Sequence, residues 1–146
     1  MPSTAHANLA AILVDSAARH PDRTAVRLDG ATLTYAELDE ASARAASLLL
    51  AAGVKPGDRV GLMLPNVPAF AVLYYAILRV GAVVVPMNPL LKAREVEYHL
   101  DDSAASLLFA PHQAQHALQG AQAGGAAARG PAARRGVNGG GGGHPP

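Results

Sequence analysis

Cysteine and tryptophan are absent from this 146-residue sequence, and large aromatic side chains are scarce, with 2 Phe and 4 Tyr. The lack of cysteine excludes disulfide scaffolds, thiolate zinc sites and thiol catalysis. The formal net charge is only +1, so the chain as a whole does not favour nucleic-acid binding. The absence of cysteine is compatible with a cytoplasmic protein, and this is the localisation that we expect.

Residues 119–146 lack Leu, Ile, Met, Phe, Tyr and any acidic residue, yet they hold 10 of the 15 glycines. Such a segment cannot bury enough apolar surface to offset the entropy of ordering it, so we predict a disordered tail rich in Gly, Ala, Pro and Arg. Residues 1–7 are expected to be a flexible N-terminus, 8–110 the folded part, and 111–118 a helical extension. The length leaves one domain with a modest core.

One apolar stretch, residues 67–87, has the length needed to cross a bilayer. Arg79 interrupts it with a charge that is costly in lipid. Gly81 breaks the helical pattern, and the β-branched residues 83–85 favour a buried strand. We therefore expect no membrane span.

The first part of the folded region predicts a helix and a hairpin. Residues 8–19 have a helical pattern with Asn8 as the N-cap. The dipeptide Asp29-Gly30 favours a type I′ turn within a hairpin over residues 24–34. The apolar stripe of the helix is expected to consist of Leu9, Ile12, Leu13 and Ala17.

A second helix is expected to begin with the capping box formed by Thr34 and Glu37. It continues to about Ala52, and Gly53 suits the position that follows a helix end. Its expected buried face comprises Leu38, Ala41, Ala45, Leu48, Leu49 and Ala52.

After a turn at residues 55–58, short apolar strands alternate with helices. Asn66 is the expected cap of the first of these helices, and Pro68 lies in its first turn. Near-continuous apolar strands in this arrangement predict an α/β fold, with a β-α-β-α-β parallel sheet covered on both faces and right-handed crossovers. The pattern predicts strands over 59–64, 82–87 and 105–110 and helices over 66–79 and 92–102.

Five sequence blocks stand out between residues 33 and 100. They are 33–38 (LTYAEL), 57–60 (GDRV), 64–66 (LPN), 78–89 (LRVGAVVVPMNP) and 91–100, which includes Glu95, Glu97 and His99. In order and spacing, these blocks resemble the core motifs of the AMP-forming acyl-CoA synthetase and adenylation-domain superfamily. The Asn88-Pro89 pair favours acyl-CoA synthetases over amino-acid-activating domains.

This resemblance implies an acid–thiol ligase of fatty-acid or carboxylate metabolism. Such enzymes use ATP and magnesium to form an acyl-adenylate, release pyrophosphate, and pass the acyl group to coenzyme A. The resemblance also implies that residues 8–110 are an incomplete piece of the large N-terminal domain. ATP, Mg and coenzyme A are then the cofactors of the full-length family, and we expect none in this fragment.

The family's phosphate-gripping loop ends in Pro-Lys-Gly, and the two lysines of this chain do not reproduce it. Lys55 precedes Pro56-Gly57, so the order is wrong, and Lys92 opens a helix with no glycine nearby. We therefore assign no catalytic, cofactor-binding or metal residue to any position. Whether the chain is itself an enzyme stays open.

Other clusters of chemistry-bearing residues favour ordinary structural roles. The run Gly139 to Gly143 has no flanking strand and helix, as a phosphate cradle would need. His112 and His116 are spaced like a metal pair but have no third ligand nearby. The trio Glu95, His99 and Asp102 is interpreted as a solvated helix face.

The remaining charged and aromatic pairs are interpreted in the same way. Glu40 pairs with Arg44 one helical turn away, and Glu37 is accounted for by the capping box. Tyr74 and Tyr75 are expected to be core and rim positions of a buried helix. The tail arginines give only weak, salt-sensitive attraction to anions; they are Arg129, Arg134 and Arg135.

The leading hypothesis is a truncated or frameshifted piece of a carboxylate–CoA ligase that is inactive alone. One alternative is the N-terminal half of a split ligase, whose expected partner is the missing remainder. Another is a non-enzymatic module that interacts through an exposed sheet edge, and this edge would also allow self-association.

Overall fold

The computed structural model describes residues 8–114, so the predictions for 1–7, for 115–118 and for the tail, including its glycine run and arginines, lie outside the described residues. Five strands and four α-helices form the described part, which ends in a single turn of 3-10 helix, His112–Ala114. The elements are α1 Ala10–Arg19, β1 Thr24–Leu28, β2 Ala31–Thr34, α2 Tyr35–Ala51, β3 Arg59–Leu62, α3 Pro68–Arg79, β4 Val83–Pro86, α4 Ala93–Ser103 and β5 Leu107–Phe109.

α1 begins next to Asn8, whose side chain connects two helices. Its Oδ1 accepts a hydrogen bond from the Ala10 N–H at 2.9 Å, and its Nδ2 donates to the Leu78 carbonyl at 2.7 Å. The expected apolar stripe is only partly right. Leu13 is buried, whereas Leu9 and Ile12 are each 58% exposed, because the buried side of α1 consists of Ala10 and Leu13.

The predicted hairpin is confirmed. β1 and β2 pair antiparallel, with Leu28 opposite Ala31. The two turn residues between them, Asp29 and Gly30, have φ of 48° and 84°. Two successive positive φ angles are what a type I′ turn requires.

Both predicted ends of α2 are confirmed. The Thr34 hydroxyl accepts from the Glu37 N–H at 3.2 Å, and the Glu37 carboxylate accepts from the Thr34 N–H at 2.8 Å. Gly53 follows the helix with φ of 88°, and the Val54 N–H closes the end by donating to the Leu49 carbonyl at 3.0 Å. This is the Schellman arrangement, in which a left-handed residue is needed.

The buried face of α2 is rotated from the expected one. Leu48 is 72% exposed, while Ser42, which was not predicted to be buried, has no exposed surface. The stripe that faces the core follows the i, i+4 and i, i+3 spacings of one helix face. Its residues are Leu38, Ser42, Ala46 and Leu49.

β3, β4 and β5 form a parallel sheet, as the alternating pattern predicted, and their order in the sheet is β4-β3-β5. Val60 in the central strand lies opposite Val84 on one side and Leu107 on the other. The turn into β3 is confirmed as well, since the Asp58 N–H donates to the Lys55 carbonyl at 3.0 Å.

Helices cover both faces of this sheet. α2 and α3 pack on one face, where the buried cluster includes Val60 and Ile77. α4 packs on the other face, where the cluster includes Met63, Met87 and Val96. The sheet has two crossovers, from β3 through α3 to β4 and from β4 through α4 to β5. They run in opposite directions across the sheet and place their helices on opposite faces. The two crossovers therefore have the same hand, as the handedness rule for parallel units requires.

The start of α3 corrects one expectation. The helix begins at Pro68, in the predicted first turn, but the capping position is Val67 and no side chain caps it. Asn66 lies one residue too early and is exposed, since the fixed φ of Pro68 suits the first helical position. None of the helices between residues 8 and 114 has the length and apolar character needed to cross a membrane.

Candidate functional site

The parallel sheet has one topological switch point. The chain leaves the central strand β3 toward β4 on one side and later returns to β5 on the other side. In open α/β sheets, ligands bind outside the carboxyl ends of the strands at such a point. The ends of β3 and β5 are held together there by a hydrogen bond of 2.8 Å from the Met63 N–H to the Phe109 carbonyl.

Two short segments leave this point and form the described part of the crevice. After β3, a tight turn with a 2.8 Å hydrogen bond from the Val67 N–H to the Pro65 carbonyl leads directly into α3. After β5, Pro111 is half-buried and His112 is exposed. The crevice is therefore bordered by the start of α3 on one side and by an imidazole on the other.

The described crevice does not fit a nucleoside triphosphate with its magnesium ion. Residues 63–67 and 110–112 contain no Lys, Arg, Asp or Glu, so they supply neither a charge partner for phosphate nor a carboxylate for the metal. No group of three or more metal-ligating side chains occurs among the residues that the structure describes. The only ionisable side chain in these two segments is the imidazole of His112.

The acidic and imidazole groups of α4 do not converge on the crevice as a site. Glu95, His99 and Asp102 are all exposed, as the solvated-face interpretation predicted. The Glu95 carboxylate accepts from the Lys92 N–H at 2.8 Å and so serves the start of the helix. The His99 ring lies against Tyr98, with ring centroids 5.6 Å apart.

The other sequence candidates also have structural partners. Glu40 and Arg44 form an ion pair one turn apart, with side chains 71% and 67% exposed. Tyr74 and Tyr75 are both half-buried, and Tyr74 stacks on Phe70 with a centroid distance of 6.0 Å. His116, the second member of the histidine pair, lies outside the described residues.

One polar network was missed by the sequence analysis. Arg79, near the end of α3, donates from Nε to the Ser42 hydroxyl at 3.0 Å and from Nη2 to the Asp39 carbonyl at 3.3 Å. It also forms an ion pair with the Asp39 carboxylate. The network joins α3 to α2. A serine within an otherwise apolar i, i+4 stripe was the signal in the sequence.

Comparison with known proteins decides the family. A family model described as AMP-binding enzyme matches residues 13–135. The chain belongs to this family. It is 42% identical over 101 residues to a long-chain-fatty-acid–CoA ligase of Bacillus subtilis, a match that covers 69% of this chain and 18% of the relative. It is 45% identical over 104 residues to the phosphinothricin tripeptide synthetase PhsC of Streptomyces viridochromogenes, covering 71% of this chain and 10% of that protein.

Solved structures of AMP-binding enzymes share the fold. The inhibitor-bound N-terminal domain of FACL13 from Mycobacterium tuberculosis superposes with a TM-score of 0.73 at 32% identity, over 77% of this chain and 29% of that one. A benzoate CoA ligase from Burkholderia xenovorans gives a TM-score of 0.77 at 30% identity, over 83% of this chain and 25% of that one. The predicted family and the predicted fold, that of the N-terminal portion of these ligases, are thereby confirmed.

The chain spans about a fifth or less of the length of the first curated relatives that it matches. Its identity to a peptide synthetase is as high as to the fatty-acid ligase. The preference for CoA ligases, inferred from Asn88-Pro89, is therefore not decided by overall identity and remains a prediction.

Proposed function

We propose that this chain acts in ATP-dependent activation of a carboxylic acid as the first sheet unit of a carboxylate–CoA ligase, and that it is inactive alone. The observation that carries the proposal is the position of the family-like blocks. They fall on consecutive elements from β2 through α4, and these include two of the three strands of the parallel sheet, the central strand β3 at the switch point and β4.

The sheet unit contributes a scaffold to the reaction. At the switch point, Met63 is fully buried in the cluster on the α4 face, and the start of α3 borders the place where such sheets bind ligands. Within the described residues the crevice holds no charged side chain for the triphosphate. The groups that bind ATP, magnesium and coenzyme A therefore come from the rest of a ligase, on the same or on a second polypeptide.

The substrate class is a carboxylic acid that forms a thioester. The names of the relatives support this breadth, since they include a long-chain-fatty-acid–CoA ligase and a feruloyl-CoA synthase. Fatty-acid metabolism in the cytoplasm is the setting that we propose.

A chimera tests the proposal. Residues 8–114 would replace the matching segment of the Bacillus subtilis long-chain-fatty-acid–CoA ligase, and ATP–pyrophosphate exchange and acyl-CoA formation would be measured with a long-chain fatty acid. We expect an active chimera, because the replaced segment has the same fold, and background exchange by the 146-residue chain alone.

An Ile77→Asp chimera is the matched negative control, because it places a charge at a fully buried position and should abolish folding and activity together. A folded chimera without activity would contradict the proposed scaffold role. Robust pyrophosphate exchange by the 146-residue chain alone would contradict the proposed inactivity.

A further inference from the structure

α4 and β5 are attached to the rest of the fold by fewer buried side chains than α2 and α3 are. Residues 92–110, which contain both elements, are called the α4–β5 unit below. α4 buries only two residues, Val96 and Leu100, and all three residues of β5 are only half-buried. The cluster on the α2–α3 face consists of eight buried residues, whereas the cluster on the α4 face consists of five.

Polar side chains join the other helices to one another but do not join α4 to any of them. Arg79 connects α3 to α2, and Asn8 connects the start of α1 to the end of α3. The hydrogen bonds that α4 side chains form among the described residues remain local. The Glu95 carboxylate accepts from the Lys92 N–H, and the Ser103 hydroxyl donates to a carbonyl one turn earlier. The side chains of α4 therefore dock it by apolar packing alone.

The sequence of α4 does not favour a helix that is stable by itself. α4 has 11 residues, and isolated helices shorter than about 12–15 residues are marginal in water. Glu97 and Asp101 place like charges one turn apart. Asp101 and Asp102 lie near the end where the helix dipole disfavours anions, and the last turn has no basic residue. The helix ends at Ala104 with φ of 52°, a costly angle for a residue other than glycine. Loss of docking and loss of the helix should therefore be one event.

β5 depends on α4 for part of its packing. It comprises three residues and pairs only with β3 among the described strands. Leu108 contacts the same cluster as the two buried residues of α4, so detachment of α4 uncovers one face of β5. A strand this short, with one neighbour and one covered face left, should be lost together with α4.

We propose that the α4–β5 unit detaches from the rest of the fold as one cooperative unit, in an equilibrium distinct from global unfolding, and that the crevice at the switch point exists only while the unit is docked. β5 borders that crevice, where the Met63 N–H donates to the Phe109 carbonyl. The part from α1 to β4 stays folded, because every buried residue of the cluster on the α2–α3 face precedes residue 83. A molecule that contacts both β3 and β5 would bind the docked form alone and stabilise it. Such detachment does not depend on the proposed function.

Native-state amide hydrogen exchange of the 146-residue chain, resolved to single residues by NMR, tests the proposal. Met63 and Met87 form a matched pair. The Met63 N–H donates to the Phe109 carbonyl at 2.8 Å, between β3 and β5, and the Met87 N–H donates to the Leu62 carbonyl at 3.0 Å, between β4 and β3. We expect Met63 to be protected at least about 100-fold less than Met87, although Met63 is the more completely buried, because local detachment breaks only the first bond. The Leu100 amide within α4 should have the same protection factor as Met63.

Two variants separate local detachment from global unfolding. Leu38 is 3% exposed and belongs to neither cluster that the α4–β5 unit contacts. Leu38→Ala should speed up Met87 exchange at least about tenfold, because it lowers the global stability, and should change Met63 and Leu100 exchange by less than about twofold. Val96→Ala weakens the docking itself and should speed up Met63 and Leu100 exchange by one common factor of at least about five.

Three outcomes would overturn the proposal. Equal protection of the Met63 and Met87 amides would mean that both hydrogen bonds break only in global unfolding. Different protection factors for Leu100 and Met63 would mean that α4 and β5 open separately. An equal acceleration of Met63 and Met87 exchange by Leu38→Ala would show that the part from α1 to β4 does not stay folded when the α4–β5 unit opens.

Discussion

The bridge between α2 and α3 predicts that Arg79 stabilises the fold far more than an exposed arginine does. Arg79→Met keeps most of the apolar stem of the side chain but removes the guanidinium. This group donates to the Ser42 hydroxyl and to the Asp39 carbonyl. The Arg79 side chain is only 20% exposed, and the partner hydroxyl of Ser42 is fully buried.

The magnitude follows from these contacts. A hydrogen bond from a charged donor contributes about 1.5–3 kcal/mol. The Asp39 side chain is 34% exposed, so solvent screens its ion pair, and we assign that pair at most about 1 kcal/mol. We expect Arg79→Met to lower the free energy of unfolding by about 2 kcal/mol, mainly because the buried Ser42 hydroxyl oxygen loses the charged N–H from which it accepts and keeps only its own donation to the Asp39 carbonyl at 2.9 Å.

Urea unfolding followed by far-ultraviolet circular dichroism measures this loss. Arg44→Met is the matched control, because Arg44 forms an ion pair with Glu40 within α2 in which both side chains are about 70% exposed. The control should change the free energy of unfolding by less than about 0.5 kcal/mol. Equal effects of the two substitutions would refute the reasoning. So would strict additivity of Arg79→Met and Asp39→Asn, since residues in one network couple by about 0.5–3 kcal/mol.

Four further substitutions at three places in the fold test the local geometry, each by urea unfolding. Ala104 ends α4 with φ of 52°, so Ala104→Gly should stabilise the fold by about 0.5–1 kcal/mol; a loss of stability would argue against the left-handed end. Leu49 and Leu48 are neighbours that are 3% and 72% exposed. Leu49→Ala should therefore cost about 2–4 kcal/mol and Leu48→Ala less than about 0.5 kcal/mol, and the reverse order would mean that α2 presents the other face. Gly57→Ala should cost about 1 kcal/mol through its φ of 85° alone, because a Cβ there meets nothing within 4 Å; an unchanged stability would contradict that turn.

Local signals in the sequence predicted the elements whose causes are themselves local. The Asp29-Gly30 turn and the capping box of Thr34 and Glu37 depend on residues within four positions of each other, and both are present in the structure. The parallel sheet followed from the alternation of short apolar strands with helices, because an antiparallel arrangement does not need such crossovers.

The errors concern interactions between distant segments. Leu48 and Ser42 lie on the same helix, and a leucine is ordinarily the better core residue. Ser42 is buried because Arg79, 37 residues away, donates to its hydroxyl. The packing of α2 against α3, including this hydrogen bond, sets which face of α2 is buried. Hydrophobic periodicity alone cannot locate that face to within one residue.

Prediction of the candidate site from the sequence was limited for the same reason, because the site also depends on contacts between distant segments. Its position at the switch point depends on the strand order, which the sequence pattern did not give. The residues of the site could be predicted only in part. His112 is one of two histidines spaced like a metal pair, and the structure places it after β5, beside the switch point. The absence of lysine from segments 63–67 and 110–112 is visible in the sequence once the topology is known.

The strand order has a consequence for synthesis of the chain on the ribosome. β3 is the first strand of the parallel sheet to be synthesised, and it occupies the centre of that sheet. Its second partner, β5, is complete only when Phe109 has been added, 46 residues after Met63. At translation rates of about 5–20 residues per second, this delay lasts about 2–9 s. During that time the nascent chain carries an unpaired strand edge beside a valine and a leucine that later become fully buried, Val60 and Leu62. This interval is the one in which a nascent-chain chaperone would bind with most effect on the yield of folded protein.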